Sequence, residues 1–588
     1  MNEVYNAVLS YEKVRSHLET APDDKDKILK MIDEIKGDYR EGVVGAASTF
    51  LDKTFLKLYD GVNLNLPENF DIREKQKDYH VVLVPNHQSH ADYIALQYIL
   101  YKHDKIPVYI AAGINLNIFP LGDIFKRCGA FFIRRKMDDH LYKIAFQGYI
   151  YYLLKSNKVV EFFFEGGRTR TGKLLPPKYG LFSMLLDAHT KFDDKKSLMF
   201  IPVSIAHEMI PEEKAHVKEL AGRKKQKEKS SQLFKIFKLF NKKMGTIHVN
   251  FGEGIVVDEI KDLKVDTQNL AFKCFRAVGK GMPVTPSSLL AMILLDHPAG
   301  ALTWKQIENG AVDILSYCEY MKIPVTESLC EKEYSQVLKS AMDMFINNKK
   351  VEVIQKKKLN QIFYALNDES RSHLLYHKNM ILHHFLVAGV INATWFNIFN
   401  GNIKNKYGLT KYLLKKRKEL KYEFYLPTTK EMISDALKVV EFAVGSKIER
   451  LDEALAFPSE KLYKVARSVR RFSTAFSYIY EAYYISAITI KYLDPAAFSE
   501  EEFLQVSKEL FIMEKEHGRI VQYPESYTVP KLKTTLLYFE KSGVISLDDE
   551  TGLYDVIDVQ RVNNSIEKFA KDINDQTAIN LKFSQEDI

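Results

Sequence analysis

A histidine and an aspartate five residues apart are the first side chains in the sequence that could do acid–base chemistry. His87 and Asp92 belong to the segment PNHQSHAD, which directly follows the apolar run at 81–84. Loops that leave a buried strand and lead into a helix are where α/β domains place reactive groups. His87 could act as a base, and Asp92 could accept the other ring N–H, which would fix the tautomer and stabilise the imidazolium. The alternative is that Ser89 and Asp92 only cap the helix.

Two segments that carry arginines follow, each at the end of an apolar run. The segment GAFFIRR ends at Arg135, whose guanidinium could form a fork toward an oxyanion or could lie at the solvated end of a strand. The segment FEGGRTRTGK carries Glu165, Gly166, Arg168 and Arg170.

Part of this second segment imitates a phosphate loop. Residues 167–173 read G-x-x-x-x-G-K, but Leu174 stands where magnesium binding needs Ser or Thr. Two prolines at 176–177 stand where that motif needs a helix. These features exclude a phosphate-loop nucleoside triphosphatase. What remains is a tight glycine turn that presents Arg168 and Arg170, an arrangement suited to a phosphate monoester.

The elements that must position these segments alternate between strands and helices. Short β-branched and aromatic runs occur at 81–84, 106–110, 159–164, 200–205 and 247–251. Helical stretches separate them, which predicts an α/β domain with a largely buried sheet over 41–285. Residues 1–40 are typical of a charged helical appendage, and 286–588 of a mostly helical C-terminal domain.

Composition and charge favour a folded protein that is soluble or peripheral to a membrane. Of 588 residues, 46% are hydrophobic and 27% charged, which excludes a disordered chain. The four cysteines form no CxxC pair, so neither a disulfide framework nor a zinc ribbon is expected, and a reducing compartment is indicated. Polar residues from His383 to Asn397 interrupt the most apolar stretch, 381–400. We expect a buried or interfacial helix there, since these groups would be costly in lipid.

Basic residues are concentrated in two places. Residues 223–243 hold nine Lys or Arg against one acid, Glu228, and 415–418 are all basic. Each such charge contributes about 1 kcal/mol near an anionic bilayer, so both runs are candidate membrane-binding segments, with a solvated helical face as the alternative. Nucleic acid is not expected as a partner, because no reader motif accompanies the basic runs.

Taken in order, four segments resemble the four sequence blocks of the glycerolipid acyltransferase superfamily. The blocks are His-x4-Asp, Phe-Ile-x-Arg, Glu-Gly-x-Arg-x-Arg and Ile-Pro-Val, and they match 87–92, 129–135, 164–170 and 201–205. Further segments are similar to the long bacterial glycerol-3-phosphate acyltransferases and their dihydroxyacetone-phosphate relatives: GINLN at 113–117, RTRTGK at 168–173, VNFGE at 249–253 and YHKN at 376–379. One departure is AHE at 206–208, where an aromatic and then an acidic residue are more usual, and it leaves the acceptor open.

The resemblance implies an α/β fold with a mixed sheet flanked by helices, as in glycerol-3-phosphate acyltransferases, and a mostly helical C-terminal domain. It implies transfer of a fatty acyl chain from acyl-CoA or acyl carrier protein to the sn-1 hydroxyl of glycerol 3-phosphate. The product would be lysophosphatidic acid, in the first step of phospholipid synthesis. Dihydroxyacetone phosphate is the alternative acceptor, and a silent membrane scaffold is the alternative function. The expected location is peripheral, on the cytoplasmic face of an anionic membrane.

The resemblance also implies the roles of the site residues. His87 would remove the proton of the acceptor hydroxyl while Asp92 holds the imidazole. Transfer would be direct, because no serine or cysteine stands beside His87 in a nucleophile elbow. Neither a cofactor nor a metal is expected, since the thioester is already activated.

The remaining motif residues would bind the acceptor. Glu165 and Gly166 would shape the substrate turn, and Glu165 would hold either the arginines or a second acceptor hydroxyl. The acceptor's phosphate would be clamped by Arg135, Arg168 and Arg170.

Overall fold

The computed structural model describes residues 2–118, 121–192, 196–222, 243–296, 300–331, 333–356, 360–424, 426–520 and 524–584. Within these ranges the chain divides into two units. The first takes its described residues from 1–169, 174–212 and 226–283, and the second from 170–173, 213–225 and 284–588. The domain limits predicted at 40 and 285 stay predictions.

A mixed sheet, eight-stranded within the described residues, forms the centre of the first unit. Its strands are β1 (Gly61–Asn65), β2 (Tyr79–Pro85), β3 (Val108–Gly113), β4 (Ala130–Ile133), β5 (Val159–Glu161), β6 (Ser197–His207), β7 (Thr246–Phe251) and β8 (Ile255–Val257). The order across the sheet is β1-β7-β6-β2-β5-β3-β4, and β8 pairs with β6. Pairing is parallel from β6 through β4 and between β1 and β7, whereas β6 is antiparallel to β7 and β8. The predicted mixed sheet is confirmed.

The two central strands are continuous apolar runs. Apart from their first residues, β2 and β6 are buried along their whole length. Parallel strands covered on both faces have this pattern instead of alternating polar and apolar residues. The reactive segment at 86–92 therefore leaves the most buried part of the sheet.

Helices flank this sheet. Those of the first unit, in the described chain, are Asn2–Ser10, Glu12–Thr20, Lys25–Ile35, Glu41–Leu58, Ile72–Asp78, Ala91–Asp104, Leu121–Arg127, His140–Lys155, Tyr179–His189 and Leu263–Gly281, with short 3-10 turns at Pro22–Asp24 and Ile114–Leu116. The last helix packs on β6, and Asp262 caps it by accepting two backbone N–H groups. The three N-terminal helices, predicted as an appendage, pack on His140–Lys155 within the first unit.

The second unit is mostly helical, as predicted. Its described helices are Glu213–Leu220, Pro286–Asp296, Trp304–Met321, Glu327–Cys330, Tyr334–Asn347, Asp368–Ile381, Leu386–Phe399, Lys406–Leu420, Thr429–Val444, Ser459–Thr474, Ser477–Leu493, Glu500–Glu516, Val529–Lys541 and Val559–Ser584, with 3-10 turns at Leu382–Phe385, Leu451–Ala456 and Pro524–Ser526. Two small antiparallel sheets accompany them, β9 (Ala301–Thr303) with β10 (Glu352–Lys356) and β11 (Gln361–Ala365), and β12 (Ile545–Leu547) with β13 (Tyr554–Val556).

One helical stretch in the described chain, Asp368–Phe399, is long and apolar enough to cross a membrane by length and composition. However, 78% of its most apolar window is buried inside the protein. Trp395 and Asn392 are completely buried within it. This burial agrees with the buried helix predicted at 381–400.

Candidate active site

The His87 imidazole and the Asp92 carboxylate form a hydrogen-bonded pair at the carboxyl end of β2. His87 Nδ1 lies 2.8 Å from Asp92 Oδ2. The ring stacks on Phe163 with 4.1 Å between centroids, and its side chain is 14% exposed. Because Nδ1 faces the carboxylate, Nε2 lies on the opposite edge of the ring, where it can accept a proton. The pair has the geometry of a base and its orienting group.

The Asp92 carboxylate serves two imidazoles and the start of the following helix. Its Oδ2 also accepts the backbone N–H groups of Gln88 and Ser89 at 2.6 and 2.9 Å. Its Oδ1 lies 2.6 Å from Nε2 of His207, at the end of β6. Burial alone would raise the pKa of this carboxyl, but the hydrogen bonds from His207 and His87 outweigh it, so the pKa lies well below its usual range. Asp92 therefore stays charged inside the protein, where it holds both the His87 ring and the loop that precedes helix Ala91–Asp104.

Two side chains fasten this loop to neighbouring elements. Asn86 donates from Nδ2 to the Ile205 carbonyl at 3.0 Å and accepts the Ile205 N–H at 2.7 Å, which extends the pairing of β2 with β6. Glu165 accepts the backbone N–H of His87 at 3.0 Å and that of Leu175 at 3.2 Å. Burial raises the pKa of Glu165 well above its usual value. In this structure both Glu165 oxygens thus hold backbone groups.

The glycine turn is joined to the same loop. Thr169 N–H donates to the His87 carbonyl at 2.9 Å. Gly166 has φ +67, in the left-handed region that favours glycine, and its N–H closes the turn onto the Phe163 carbonyl at 3.0 Å. The base and the turn therefore form one hydrogen-bonded assembly.

Arg168 points to a carboxylate that the sequence analysis did not single out. Its Nη1 lies 2.9 Å from Glu212 Oε1, and the Arg168 side chain is only 5% exposed. The same carboxylate accepts the Ser89 hydroxyl at 2.8 Å and the His90 N–H at 3.0 Å. Glu212 thereby links the arginine to the residues that flank the catalytic pair.

The other two predicted arginines lie elsewhere. Arg135 is exposed beyond the end of β4, at the same edge of the sheet as His87 but three strands away, which is roughly 14 Å at the usual strand spacing. Its neighbour Arg134 forms a bidentate pair with Glu34 at 2.7 Å. Arg170 belongs to the second unit, where its Nε lies 2.9 Å from Glu219.

The predicted basic segments have mixed outcomes. Residues 223–242 lie outside the described residues, and Lys243 pairs with Asp60 at 2.8 Å. In the run at 415–418, Lys416 is buried against Asp572 and Glu419 at 2.8 and 3.2 Å. Only part of that run is therefore available to a membrane.

Four residues of this site were not predicted from the sequence, namely His207, Glu212, Asn86 and Phe163. A signal existed for His207, since it follows the Ile-Pro-Val block where an aromatic residue is more usual. Among the residues that the structure describes, no group of three or more His, Cys, Asp and Glu side chains could hold a metal ion. The expectation that neither metal nor cofactor takes part stays a prediction.

Comparison with protein families gives two matches. The model of the glycerol-3-phosphate acyltransferase C-terminal region matches residues 216–548, which is more than half of the chain. The acyltransferase model matches residues 68–206.

Individual relatives carry the same description. A glycerol-3-phosphate acyltransferase of Pseudoalteromonas atlantica is 31% identical over 423 residues, 67% of this chain and 51% of the relative. One of Shewanella pealeana is 35% identical over 342 residues, 53% of this chain and 42% of the relative. The chain thus spans about half the length of the curated relatives it matches. Among solved structures, the 1-acyl-sn-glycerophosphate acyltransferase of Thermotoga maritima has 15% identity and a TM-score of 0.26, covering 40% of this chain and 78% of that one.

Proposed function

The chain belongs to the glycerol-3-phosphate acyltransferase family, and on this premise we propose that it transfers a fatty acyl group from a thioester to the sn-1 hydroxyl of glycerol 3-phosphate. The observation that carries the proposal is the 2.8 Å hydrogen bond between His87 Nδ1 and the buried, charged Asp92. It leaves Nε2 as the proton acceptor for an incoming hydroxyl.

The proposed reaction is direct. His87 Nε2 takes the hydroxyl proton as the oxygen attacks the thioester carbonyl, and the charge of Asp92 stabilises the imidazolium that forms. Collapse of the tetrahedral intermediate breaks the carbon–sulfur bond, and the imidazolium returns its proton to the leaving thiolate. The products are an ester and a free thiol, so neither a cofactor nor a metal enters the balance.

The acceptor's phosphate needs positive charge close to this base. Arg168 is held within the assembly that carries His87, since its partner Glu212 also binds Ser89 and His90. A guanidinium recognises a phosphate through paired, charge-assisted N–H···O hydrogen bonds, which makes Arg168 the candidate for that contact. The roles predicted for Arg135 and Arg170 stay predictions, and Glu165 with Gly166 sets the turn that carries Arg168.

The product is lysophosphatidic acid in this proposal, which is the first step of phospholipid synthesis. Either acyl-CoA or acyl carrier protein is the donor, and dihydroxyacetone phosphate is the alternative acceptor. A silent scaffold is disfavoured, because burying a charged Asp92 against two imidazoles is costly without a function for the charge.

The substrates and product also suggest the location, a peripheral one on the cytoplasmic face of an anionic membrane. The protein should bind anionic vesicles and be released by salt, because exposed charges are screened over about 8 Å at physiological ionic strength. Neutralising Lys224, Lys225, Lys242 and Lys243 together should weaken co-sedimentation. Binding that ignores both salt and these changes would show that an apolar surface holds the protein.

The test of the reaction is thiol release by the purified protein, with each acceptor and each donor in turn. His87→Ala should lower the rate by roughly 10²- to 10⁴-fold, the usual contribution of a general base. His103→Ala is the matched control, since His103 lies at the exposed end of the next helix. Activity above a few per cent in His87→Ala would refute the assignment of the base.

A further inference from the structure

Three lysine ammonium groups converge on one tyrosine ring inside the second unit. The Nζ atoms of Lys378 and Lys531 each lie 4.7 Å from the ring centroid of Tyr478, and that of Lys173 lies 5.6 Å from it. Lys173 comes from the glycine turn, and the other two come from helices far along the chain. The fold therefore gathers three positive charges around one ring.

Carboxylates compensate for only part of this charge. Lys173 Nζ lies 2.8 Å from Glu423 Oε2, and Lys531 contacts the same oxygen. Lys378 is 4% exposed. Among the residues that the structure describes, its ammonium has the Tyr478 ring beside it but neither a hydrogen-bond acceptor nor an ion-pair partner. Three lysine side chains thus face one carboxylate, and burial lowers the pKa of Lys531 well below its usual range.

The next carboxylates are engaged with other cations. Glu525 pairs with Arg371 at 3.1 Å, and Asp296 lies 3.7 Å from Arg471. A buried cation without a partner is expensive, because it loses its hydration and gains no opposing charge. Burial accordingly lowers the pKa of Lys378 to about 8.

The turn that carries Lys173 packs closely beside the Tyr478 ring. A Cβ on Gly172 would lie 2.1 Å from the Tyr376 carbonyl oxygen, so only glycine allows the turn to press against helix Asp368–Ile381. Asn379 donates to the Thr171 carbonyl at 2.8 Å and accepts the Tyr478 hydroxyl at 3.1 Å. The same contacts fix both the turn and the ring.

From these contacts we infer that Lys173, Lys378 and Lys531 bind a phosphate monoester that also carries a hydroxyl group. A phosphate group would bring negative charge and several hydrogen-bond acceptors to these three lysines. The second Glu423 oxygen, Oε1, is buried and has no hydrogen-bond donor within the described part of the chain, so it can accept the ligand's hydroxyl. Two sources fit this chemistry. One is glycerol 3-phosphate, whose phosphate these lysines would then bind in place of the arginines, and the other is the ribose 3′-phosphate of coenzyme A. Only the choice of these two ligands rests on the proposed function.

The site can be tested by calorimetric titration of the full chain, without turnover. Wild type, Lys378→Met and Lys404→Met are titrated with glycerol 3-phosphate, coenzyme A and dephospho-coenzyme A. Lys404 is an exposed residue of the same unit, so its variant has the same change in net charge. Lys378→Met should weaken one ligand by about tenfold or more, the loss expected for one charge-assisted hydrogen bond, while Lys404→Met should not.

The pattern of weakening identifies the source. A loss confined to glycerol 3-phosphate assigns the site to the acceptor. A loss for coenzyme A but not for its dephospho form assigns it to the donor. The titration measures binding and not turnover. A protein without activity would therefore refute the proposed reaction, but the titration would still show whether the lysines bind a phosphate.

Thermal unfolding separates a binding role from a structural one. Ligand-free Lys378→Met should unfold at the wild-type temperature or above it, because an unpaired buried charge has been removed. A lower unfolding temperature would show that Lys378 stabilises the fold, and would overturn the inference. It would equally be overturned if wild type bound none of the three ligands, or if Lys378→Met bound all of them as wild type does.

Discussion

Replacing Asp92 by asparagine separates the charge of this residue from its role in holding the loop that precedes the helix. The asparagine Oδ1 can still accept the N–H groups of Gln88 and Ser89 and that of the His87 ring. Its Nδ2 would then face His207, which can present an unprotonated Nε2 after a change of tautomer. The loop therefore keeps its hydrogen bonds while the negative charge beside the base is lost.

The size of the effect follows from the distance between the charges. With 2.8 Å between Nδ1 and Oδ2, the centres of the imidazolium and the carboxylate are roughly 4 Å apart, which corresponds to about 4 kcal/mol at an effective dielectric constant of about 20. That stabilisation exists only once His87 has taken the proton. Asp92→Asn should therefore lower kcat by about a thousandfold.

The assay is thiol release at saturating substrates, with urea unfolding measured in parallel. Asp92→Asn should unfold close to wild type, whereas Asp92→Ala also loses the hydrogen bonds from Gln88 and Ser89 and should lose about 0.5–1.5 kcal/mol of stability for each. Asp104→Asn, at the far end of the same helix, is the control. If Asp92→Asn keeps kcat within tenfold of wild type, the carboxylate only holds the loop and the electrostatic reasoning fails.

Four further predictions concern other parts of the structure. His207→Phe removes a donor to the buried carboxylate and should lower kcat about tenfold with little change in the acceptor KM, measured by steady-state kinetics. Arg168→Ala should raise the KM of glycerol 3-phosphate roughly 10- to 100-fold and leave that of the donor, whereas equal effects would indicate a structural role. Gly172→Ala should lower the unfolding free energy by several kcal/mol, because φ is +82 and a carbonyl oxygen lies 2.1 Å from the new Cβ. Gly167 has open space around it, so Gly167→Ala should change the unfolding free energy by less than about 1 kcal/mol. Burial lowers the pKa of Lys378 to about 8, whereas the pKa of an ordinary lysine is about 10.4. Between these two pH values the unfolded chain binds more protons than the folded one, so the unfolding free energy should rise by up to about 3 kcal/mol with increasing pH. Urea titrations measure this rise, and Lys378→Met should flatten it.

The sequence predicted what depends on neighbouring residues. Continuous apolar runs located the strands, and the spacing of His87 and Asp92 located a pair that lies in one short loop and the first turn of the helix after it. The glycine turn was predicted for the same reason, since Gly166 closes it over three residues.

Contacts between distant segments could not be predicted in this way. His207 contacts Asp92 because β6 pairs with β2, and the order of strands in a sheet cannot be predicted from the residues of any one segment. Glu212 likewise reaches Arg168 from 44 residues away. Glu165 is the clearest example. From the sequence we expected it to bind the arginines or an acceptor hydroxyl, whereas its two oxygens accept the N–H groups of His87 and Leu175.

The aspartate shared by two imidazoles also bears on how the protein is made. His207 lies 115 residues beyond Asp92 and ends the strand that covers one side of β2. Chains are synthesised from the N-terminus, and such long-range pairing forms late because a long loop must close first. A nascent chain that stops short of β6 carries His87 but lacks the strand that buries and orients its partner. Fragments released before β6 is made should therefore not react with acyl thioesters. The catalytic pair should form only when β6 pairs with β2.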